Sequence, residues 1–383
     1  MARFLVVTPD AGGNLPPTLA IARALADRGH AVSVLGHAQL ADAVNAAGLR
    51  FRPFTAARRW SPIVERPGVK SMLGWLRLAS DRGIARDTAA ELARRPVDAV
   101  IVDCMIPVAL GPARRSGGRV VLLLHTMSEY WVRQWAVTSP MGAWLRLTGP
   151  HPHRTPSDLA LVTTAPEFDV IDEPAIPADE IAQTGPVLAA PAVREDDTGT
   201  ARSELPLLVS FSTISYPGQH AAMQRTLDAI APLPVTAIAT IGPSLDPRAL
   251  RIPPNVQQRG YTPHGELLPD VRLLVGHGGH GTTMAALAHG VPALVIAMSS
   301  HTDQPIVGDA LARTGAGAVL PREATVEQLR QAITTLLADD AATHRATQVA
   351  AAWRDGRAAE RAAEAVSGLL SGAPRSPGER RPT

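Results

Sequence analysis

Residues Val271 to Pro292 read VRLLVGHGGHGTTMAALAHGVP, and this stretch decides the fold. A short apolar run of strand length is broken by glycines, and an apolar stripe at helical spacing follows it. Thr282 and Thr283 are good candidates for capping the helix start. Glycines have no β-carbon, so a ligand can come close to the backbone. The free N–H groups at the start of a helix favour an anion, and His277 and His280 add side-chain hydrogen-bond donors. The stretch predicts a strand, a turn and a helix that together bind a diphosphate, with a tight turn that holds no ligand as the alternative.

Composition excludes several classes of protein. With 383 residues, a net charge of +2 and 45% hydrophobic residues, the chain is long enough for two domains and has the composition of an ordinary globular enzyme. No run interleaves basic and aromatic residues as a nucleic-acid groove would. Cys104 is the only cysteine, so no internal disulfide can form.

We see no cleavable signal pattern and no apolar run of about 20 residues, so we expect a cytoplasmic protein without a membrane span. Its oligomeric state, monomer or homodimer, stays open.

Strand-like and helix-like segments alternate along both halves of the chain. This alternation predicts an α/β protein with two Rossmann-like domains facing each other across a cleft, and ligands at the carboxyl ends of the strands. We expect the C-terminal helix to pack back on the first domain. The predicted division is an acceptor-binding domain, an interdomain linker rich in Pro and Gly, a donor-binding domain and a disordered tail, at residues 1–185, 186–205, 206–370 and 371–383 respectively.

Two segments of the first half are harder to assign. Residues 71–93 look like one helix. Residues 126–156 are rich in tryptophan and are expected to be irregular, as part of a wide acceptor pocket.

The run RGYTPHGELLPDVRLLVGHGGHGTTMAALAHGVPALVIAMSSHTDQ, Arg259 to Gln304, resembles nucleotide-sugar-dependent glycosyltransferases of the B-type fold (GT-B). That family includes UDP-glycosyltransferases and the bacterial enzymes that glycosylate natural products. The first half fits the family more loosely. The resemblance implies an inverting transfer of a sugar from a TDP- or UDP-sugar, without a metal or other cofactor. No paired-carboxylate motif for a metal is seen.

The resemblance also implies roles for individual residues. His277, Gly279, Gly281, Thr282 and Thr283 look like the cradle for the donor diphosphate, and Ser212 and Thr213 match a second phosphate-contacting turn. Asp303 and Gln304 resemble the pair that holds sugar hydroxyls, and Tyr261, Thr262 and His264 resemble the segment beside the nucleobase. Simpler roles stay open for four of these positions: Asp303 as a helix cap, Ser212 and Thr213 as turn formers, and His264 as a partly exposed surface histidine.

The first loop departs from the family. Where relatives carry a general-base histidine, this chain has Asn14, and a neutral amide is not a base. One interpretation moves the base to Asp103 or His125, which end neighbouring strands. A second gives the enzyme an acidic or strongly nucleophilic acceptor, with a bond to phenolic oxygen, nitrogen or carbon. A third makes the chain a non-catalytic, donor-binding auxiliary protein. Asp103 as a helix cap and His125 as a buried structural residue are the alternatives for those two side chains.

The acceptor is expected to be apolar and cyclic. Aromatic residues of the first half could line its pocket, although each of them could equally pack in the core. These candidates are Trp60, Trp75, Tyr130, Trp131 and Trp135.

Overall fold

The structure is a computed structural model that describes residues 1–63, 68–169, 175–188, 202–353 and 355–371. Its described strands form two parallel sheets. The first contains β1 (Arg3–Thr8), β2 (Ala31–Gly36), β3 (Arg50–Pro53), β4 (Ala99–Asp103), β5 (Arg119–Leu124), β6 (Ser157–Val162) and β7 (Ala178–Gln183). The second contains β8 (Leu207–Ser210), β9 (Ala237–Thr240), β10 (Val256–Arg259), β11 (Leu273–Gly276), β12 (Ala293–Ala297) and β13 (Gly317–Pro321).

Helices connect the strands of both sheets. In the first half they are α1 (Leu15–Asp27), α2 (Ala41–Ala46), α3 (Gly68–Ala79), α4 (Arg82–Arg94), α5 (Leu110–Arg115), α6 (Ser128–Trp135) and α7 (Pro140–Thr148). In the second half they are α8 (Gln219–Ile230), α9 (His264–Leu267), α10 (His280–Ala288), α11 (Gln304–Thr314), α12 (Val326–Leu337), α13 (Asp340–Ala351) and α14 (Ala358–Ser371).

Strand order places the site. The strand orders are β3-β2-β1-β4-β5-β6-β7 and β10-β9-β8-β11-β12-β13. In each sheet the order in which successive strands are added reverses beside the first strand in sequence. A crevice opens at the carboxyl ends of the strands where the order reverses. In the first sheet this point lies between β1 and β4, and in the second it lies between β8 and β11. The predicted pair of Rossmann-like domains is confirmed.

The C-terminal helix packs on the first domain, as predicted. Ala362 and Val366 of α14 are fully buried in the same apolar cluster as Ile21 and Leu25 of α1. The proposed domain boundaries stay predictions, because residues 189–201 of the linker and 372–383 of the tail lie outside the described residues.

Some predicted elements were wrong. Residues 71–93 form two helices rather than one, because Asp81 caps a new start by accepting from the Gly83 N–H at 2.9 Å. The segment 126–156 is largely helical, as α6 and α7. Strands β7 and β13 had not been predicted. β7 is a mostly polar edge strand, and partly buried β13 pairs with β12 alone, so neither has the buried apolar run of a central strand.

Candidate active site

A cavity of about 1310 Å³ lies between the two sheets. Its first-domain wall includes the loop after β1, with Asn14, and the residue after β5, His125. Its second-domain wall includes Ser212 after β8 and His277 after β11. The carboxyl ends of both sheets therefore open onto one space, as expected for this fold.

A buried carboxylate organises the first-domain wall. Asp103 is 1% exposed, and its Oδ2 accepts from Asn14 Nδ2 at 2.8 Å and from Thr8 Oγ1 at 3.0 Å. Its Oδ1 accepts from the Met105 N–H at 2.9 Å and lies 3.1 Å from Nε2 of His125. Asn14 thus donates to this acid through its amide, and its own Oδ1 is occupied by the Ala11 N–H at 3.0 Å.

The carboxylate and the imidazole shift each other's pKa. Burial alone would raise the pKa of Asp103, but His125 and the surrounding donors lower it below its usual value. Burial alone would lower the pKa of His125, but Cys104 and the Asp103 carboxylate outweigh burial and raise that pKa well above 6.5. Asp103 and His125 therefore stabilise each other's charged form.

Cys104 lies beside this pair. Its Sγ is 3.4 Å from Nε2 of His125 and 3.9 Å from Oδ1 of Asp103. Burial raises the pKa of the thiol to about 11, so it is protonated in this state. Cys104 and His125 line the cavity, whereas Asp103 stands behind them.

The glycine turn builds the opposite wall. Helix α10 begins at His280, with Gly279 as its N-cap, and no side chain caps it. The prediction that Thr282 or Thr283 caps this helix was wrong, because the helix begins before them. A β-carbon on Gly279 would lie 2.5 Å from Nε2 of His277, so glycine is required there. A β-carbon on Gly281 would meet nothing within 4 Å and would project into open space.

The two histidines of the turn have different surroundings. His277 is buried against Gly279, and its Nδ1 has no hydrogen-bond partner among the described residues. His280 instead reaches the first domain, with Nε2 2.9 Å from Oγ1 of Thr164. Burial lowers the pKa of His277 to about 4 and that of His280 to about 3, so both rings are neutral at pH 7.

His264 is tied into the second domain. Its Nε2 is 2.8 Å from Oγ of Ser210, and its Nδ1 is 3.4 Å from Oγ1 of Thr282. Burial lowers its pKa. Tyr261 is 69% exposed, and both it and Thr262 line the cavity.

Ser212 and Thr213 also line the cavity. Oγ of Ser212 accepts from the Ile214 N–H at 3.1 Å, which closes the turn. A β-carbon on Gly12 of the first domain would lie 3.3 Å from Oγ1 of Thr213, so the two domains approach closely here.

Asp303 faces the first domain. Its Oδ2 accepts from Thr126 Oγ1 at 2.7 Å, and its side chain does not cap α11. Burial raises the pKa of Asp303, while Thr126 and His125 act in the opposite direction. Gln304 is 1% exposed, and its Oε1 accepts from the Met298 N–H at 2.7 Å, so it braces the loop after β12.

Aromatic and apolar side chains form the acceptor-side wall. Trp131 and Trp135 of α6 are stacked with centroids 5.6 Å apart, and Trp131 meets the His125 ring edge to face at 6.2 Å. Trp75 lines the cavity from α3, and Trp60 packs behind it at 4.6 Å. Four of the five predicted aromatic residues line the cavity, namely Trp75, Tyr130, Trp131 and Trp135, and the last two are also buried.

Most of the predicted site residues line the cavity. Four do not: Asp103, Thr283, Gln304 and Trp60. The sequence reasoning missed cavity residues that carry no motif of their own, namely Thr126, Tyr216, Cys104, Leu76, Met105 and Met141. Two of them could have been predicted from the sequence. Cys104 and Thr126 directly follow Asp103 and His125, which were already expected at the ends of strands that face the cleft.

Comparisons with known proteins bear on the fold and on the second half of the chain. Residues 224–368 match the family model "Erythromycin biosynthesis protein CIII-like, C-terminal domain". Residues 224–368 form an EryCIII-like C-terminal domain. This match covers less than half of the chain and lies entirely in its second half.

Curated relatives match part of the chain. The demethyllactenocin mycarosyltransferase of Streptomyces fradiae is 32% identical over 167 residues, which are 43% of this chain and 36% of the relative. The 3-alpha-mycarosylerythronolide B desosaminyl transferase of Saccharopolyspora erythraea is 33% identical over 149 residues, 39% of this chain and 34% of the relative. These matches span about a third of the relatives' length.

Solved structures match nearly the whole chain in fold. The glycotransferase of kitacinnamycin superposes with a TM-score of 0.77 at 24% identity, covering 96% of this chain and 99% of that one. The calicheamicin glycosyltransferase CalG4 superposes with a TM-score of 0.74 at 22% identity, covering 97% and 99%. The fold is therefore GT-B. Within the described residues, no helix has the length and apolarity to cross a bilayer.

Proposed function

We propose that this protein transfers a sugar from a nucleoside diphosphate sugar, with TDP or UDP as the carrier, to an apolar cyclic acceptor. One observation carries the proposal: a single cavity has an uncapped helix start with His277 on one wall and a tryptophan-lined face with an ionisable cluster on the other. A helix start stabilises a departing diphosphate, and the apolar face suits a hydrophobic acceptor. The transfer would be a single inverting displacement that needs no metal.

His125 is the better candidate for the base. It borders the cavity, whereas Asp103 is screened from it by its neighbours. In the neutral His125 ring, Nε2–H donates a hydrogen bond to Asp103, and Nδ1 carries the lone pair that takes the proton from the acceptor. Asn14 then holds the carboxylate in place from the opposite side at 2.8 Å. Asp103 orients the imidazole and stabilises its charged form.

Nucleotide binding tests the donor half of the proposal. In calorimetric titrations, TDP or UDP should bind the wild-type protein, and His277→Ala should bind about 10- to 150-fold more weakly if a hydrogen bond to a charged phosphate is lost. His344→Ala, on the exposed face of α13, is the matched control. Absence of nucleotide binding would refute the donor site.

Turnover tests the acceptor half. With a panel of TDP- and UDP-sugars, product formation is measured on alcohols, phenols and amines. His125→Gln should slow transfer to alcohols about 10²–10⁴-fold and should affect acidic phenols much less. An equal loss on both acceptor classes would argue against His125 as the base.

The alternative function is a donor-binding protein without turnover. Asn14, a neutral amide at the family's base position, is the observation that favours it. Tight nucleotide binding together with no product from any acceptor would select this alternative.

A further inference from the structure

The cluster at the ends of β4 and β5 combines three side chains that ligate transition metals. Among the described residues, Asp103, Cys104 and His125 form the group of His, Cys and carboxylate ligands whose donor atoms converge. The proposed transfer uses the imidazole and the carboxylate but leaves the thiol without a role. We propose that these three residues form a binding site for Zn²⁺, open to the cavity, and that zinc bound there blocks the proposed base.

The spacing of the donor atoms fits a tetrahedral ion. Nε2 of His125 is 3.1 Å from Oδ1 of Asp103 and 3.4 Å from Sγ of Cys104, and the sulfur and oxygen are 3.9 Å apart. The circle through three atoms with these separations has a radius of about 2.0 Å. An ion slightly above that plane lies at roughly 2.0–2.3 Å from each atom, the range of zinc bonds to nitrogen, oxygen and sulfur.

The scaffold holds the ligands without large rearrangement. Asp103 ends β4 and pairs in register with Leu123 of β5, and the Cys104 N–H donates to the Leu123 carbonyl at 3.1 Å. The sheet thus fixes the backbone of Asp103 and Cys104, and His125 directly follows Leu124, the last residue of β5. The outer oxygen of Asp103 already accepts from Asn14 and Thr8, the kind of second layer that orients a carboxylate ligand.

Charge balance also favours a divalent ion. Zn²⁺ with one thiolate, one carboxylate and one neutral imidazole has no net charge, which lowers the penalty for burying the ions. On binding, the thiol proton leaves to solvent, a doubly protonated imidazole also loses one of its two protons, and no oxidant or reductant is needed. Cys104 and His125 line the cavity, so a fourth position can hold water.

The set of ligands favours zinc over harder ions. Magnesium and calcium prefer oxygen ligands, whereas a thiolate with an imidazole suits zinc and its spectroscopic substitute cobalt. Zinc on the imidazole nitrogen that faces Asp103 would break that pair and leave His125 unable to cycle a proton. Submicromolar to micromolar zinc is then expected to inhibit the transferase.

The test uses untagged, metal-free full-length protein titrated with Co²⁺. We expect one equivalent to give the thiolate-to-cobalt charge-transfer band and the visible bands of tetrahedral cobalt, both lost on adding zinc. Cys104→Ser should remove the charge-transfer band and weaken zinc binding at least tenfold, and His344→Ala should change neither. Cys104→Ala is the second variant if serine perturbs folding, which circular dichroism monitors.

Metal binding and zinc inhibition are tested by separate outcomes. No thiolate band at stoichiometric cobalt, or a band that persists in both Cys104 variants, overturns the site, whether or not the protein is a transferase. Zinc inhibition is measured for each variant against its own zinc-free rate. If zinc inhibits wild-type protein and Cys104→Ser equally, the proposed effect of zinc on the base is wrong. If the protein is inactive but still shows the cobalt band, the metal site stands and only the proposed transferase activity is refuted.

Discussion

Replacement of His280 tests whether the second histidine of the glycine turn joins the domains as a neutral ring. His280 is 7% exposed and lies 2.9 Å from Thr164 of the first domain. His280→Gln keeps a polar atom near the position of Nε2 and removes the titratable group. We expect this variant to make stability less dependent on pH.

The magnitude follows from the lowered pKa. The unfolded chain takes up a proton at His280 below about 6.5, while the folded protein, with a pKa of about 3, does not. Stability from this side chain is therefore complete above pH 6.5 and is lost as the pH falls toward 3. At pH 5 the loss is about 2 kcal/mol, and a folded pKa one unit higher changes this figure little.

The assay compares urea unfolding at pH 7.5 and pH 5.0, followed by hydrogen exchange of peptides that span β11 and α10. Wild-type protein should lose about 2 kcal/mol more than His280→Gln between these two pH values. His344→Gln, a substitution at an exposed position, is the control and should behave as the wild type does. If His280→Gln and the wild type lose the same free energy, His280 is not a buried neutral ring and the interdomain hydrogen bond is misassigned.

Two further perturbations examine the donor side. Gly279→Ala places a β-carbon 2.5 Å from Nε2 of His277 and should lower both stability and TDP affinity. Gly281→Ala, whose β-carbon meets nothing within 4 Å, should gain up to about 1 kcal/mol of stability and still lose nucleotide affinity. Urea unfolding and calorimetric titration separate these effects, and unchanged affinity in Gly281→Ala would contradict a diphosphate at this helix start. Thr126→Val removes the 2.7 Å donor to Asp303 and should cost roughly 1.5–3 kcal/mol in urea unfolding; a cost below about 0.5 kcal/mol would mean that water replaces the hydroxyl without penalty.

The sequence predicted the fold because its signals are local. The alternation of buried strands with helices, and the glycine turn at Val271–Pro292, each depend on neighbours along the chain. The two α/β domains and the packing of the C-terminal helix on the first domain were predicted correctly. The edge strands β7 and β13 were missed because an edge position does not demand an apolar run.

The sequence indicated which segments form the site, but it did not indicate which side chains contact each other there. The position of Asp103 and His125 at the ends of adjacent parallel strands indicated that they meet, and they lie 3.1 Å apart. That Cys104 joins them depends on the side-chain direction just after the strand, which no sequence period specifies. Gln304 shows the same limit: its Oε1 accepts from the Met298 N–H, its Nε2 has no partner among the described residues, and its role toward the donor sugar stays a prediction.

The glycine turn combines two physical tasks in one motif. Within the part of the chain that the structure describes, His277 keeps a ring nitrogen without a partner beside the uncapped helix start, whereas His280 is hydrogen-bonded to Thr164 across the cleft. Thr126 and Asp303 make a second bridge on the same side of the cavity. Any opening of the cleft that separates these pairs must rehydrate a buried imidazole and a buried carboxylate together. The groups that would contact the donor therefore lie beside those that hold the domains closed, and a ligand that engages Asp303 would compete with Thr126 for the same carboxylate.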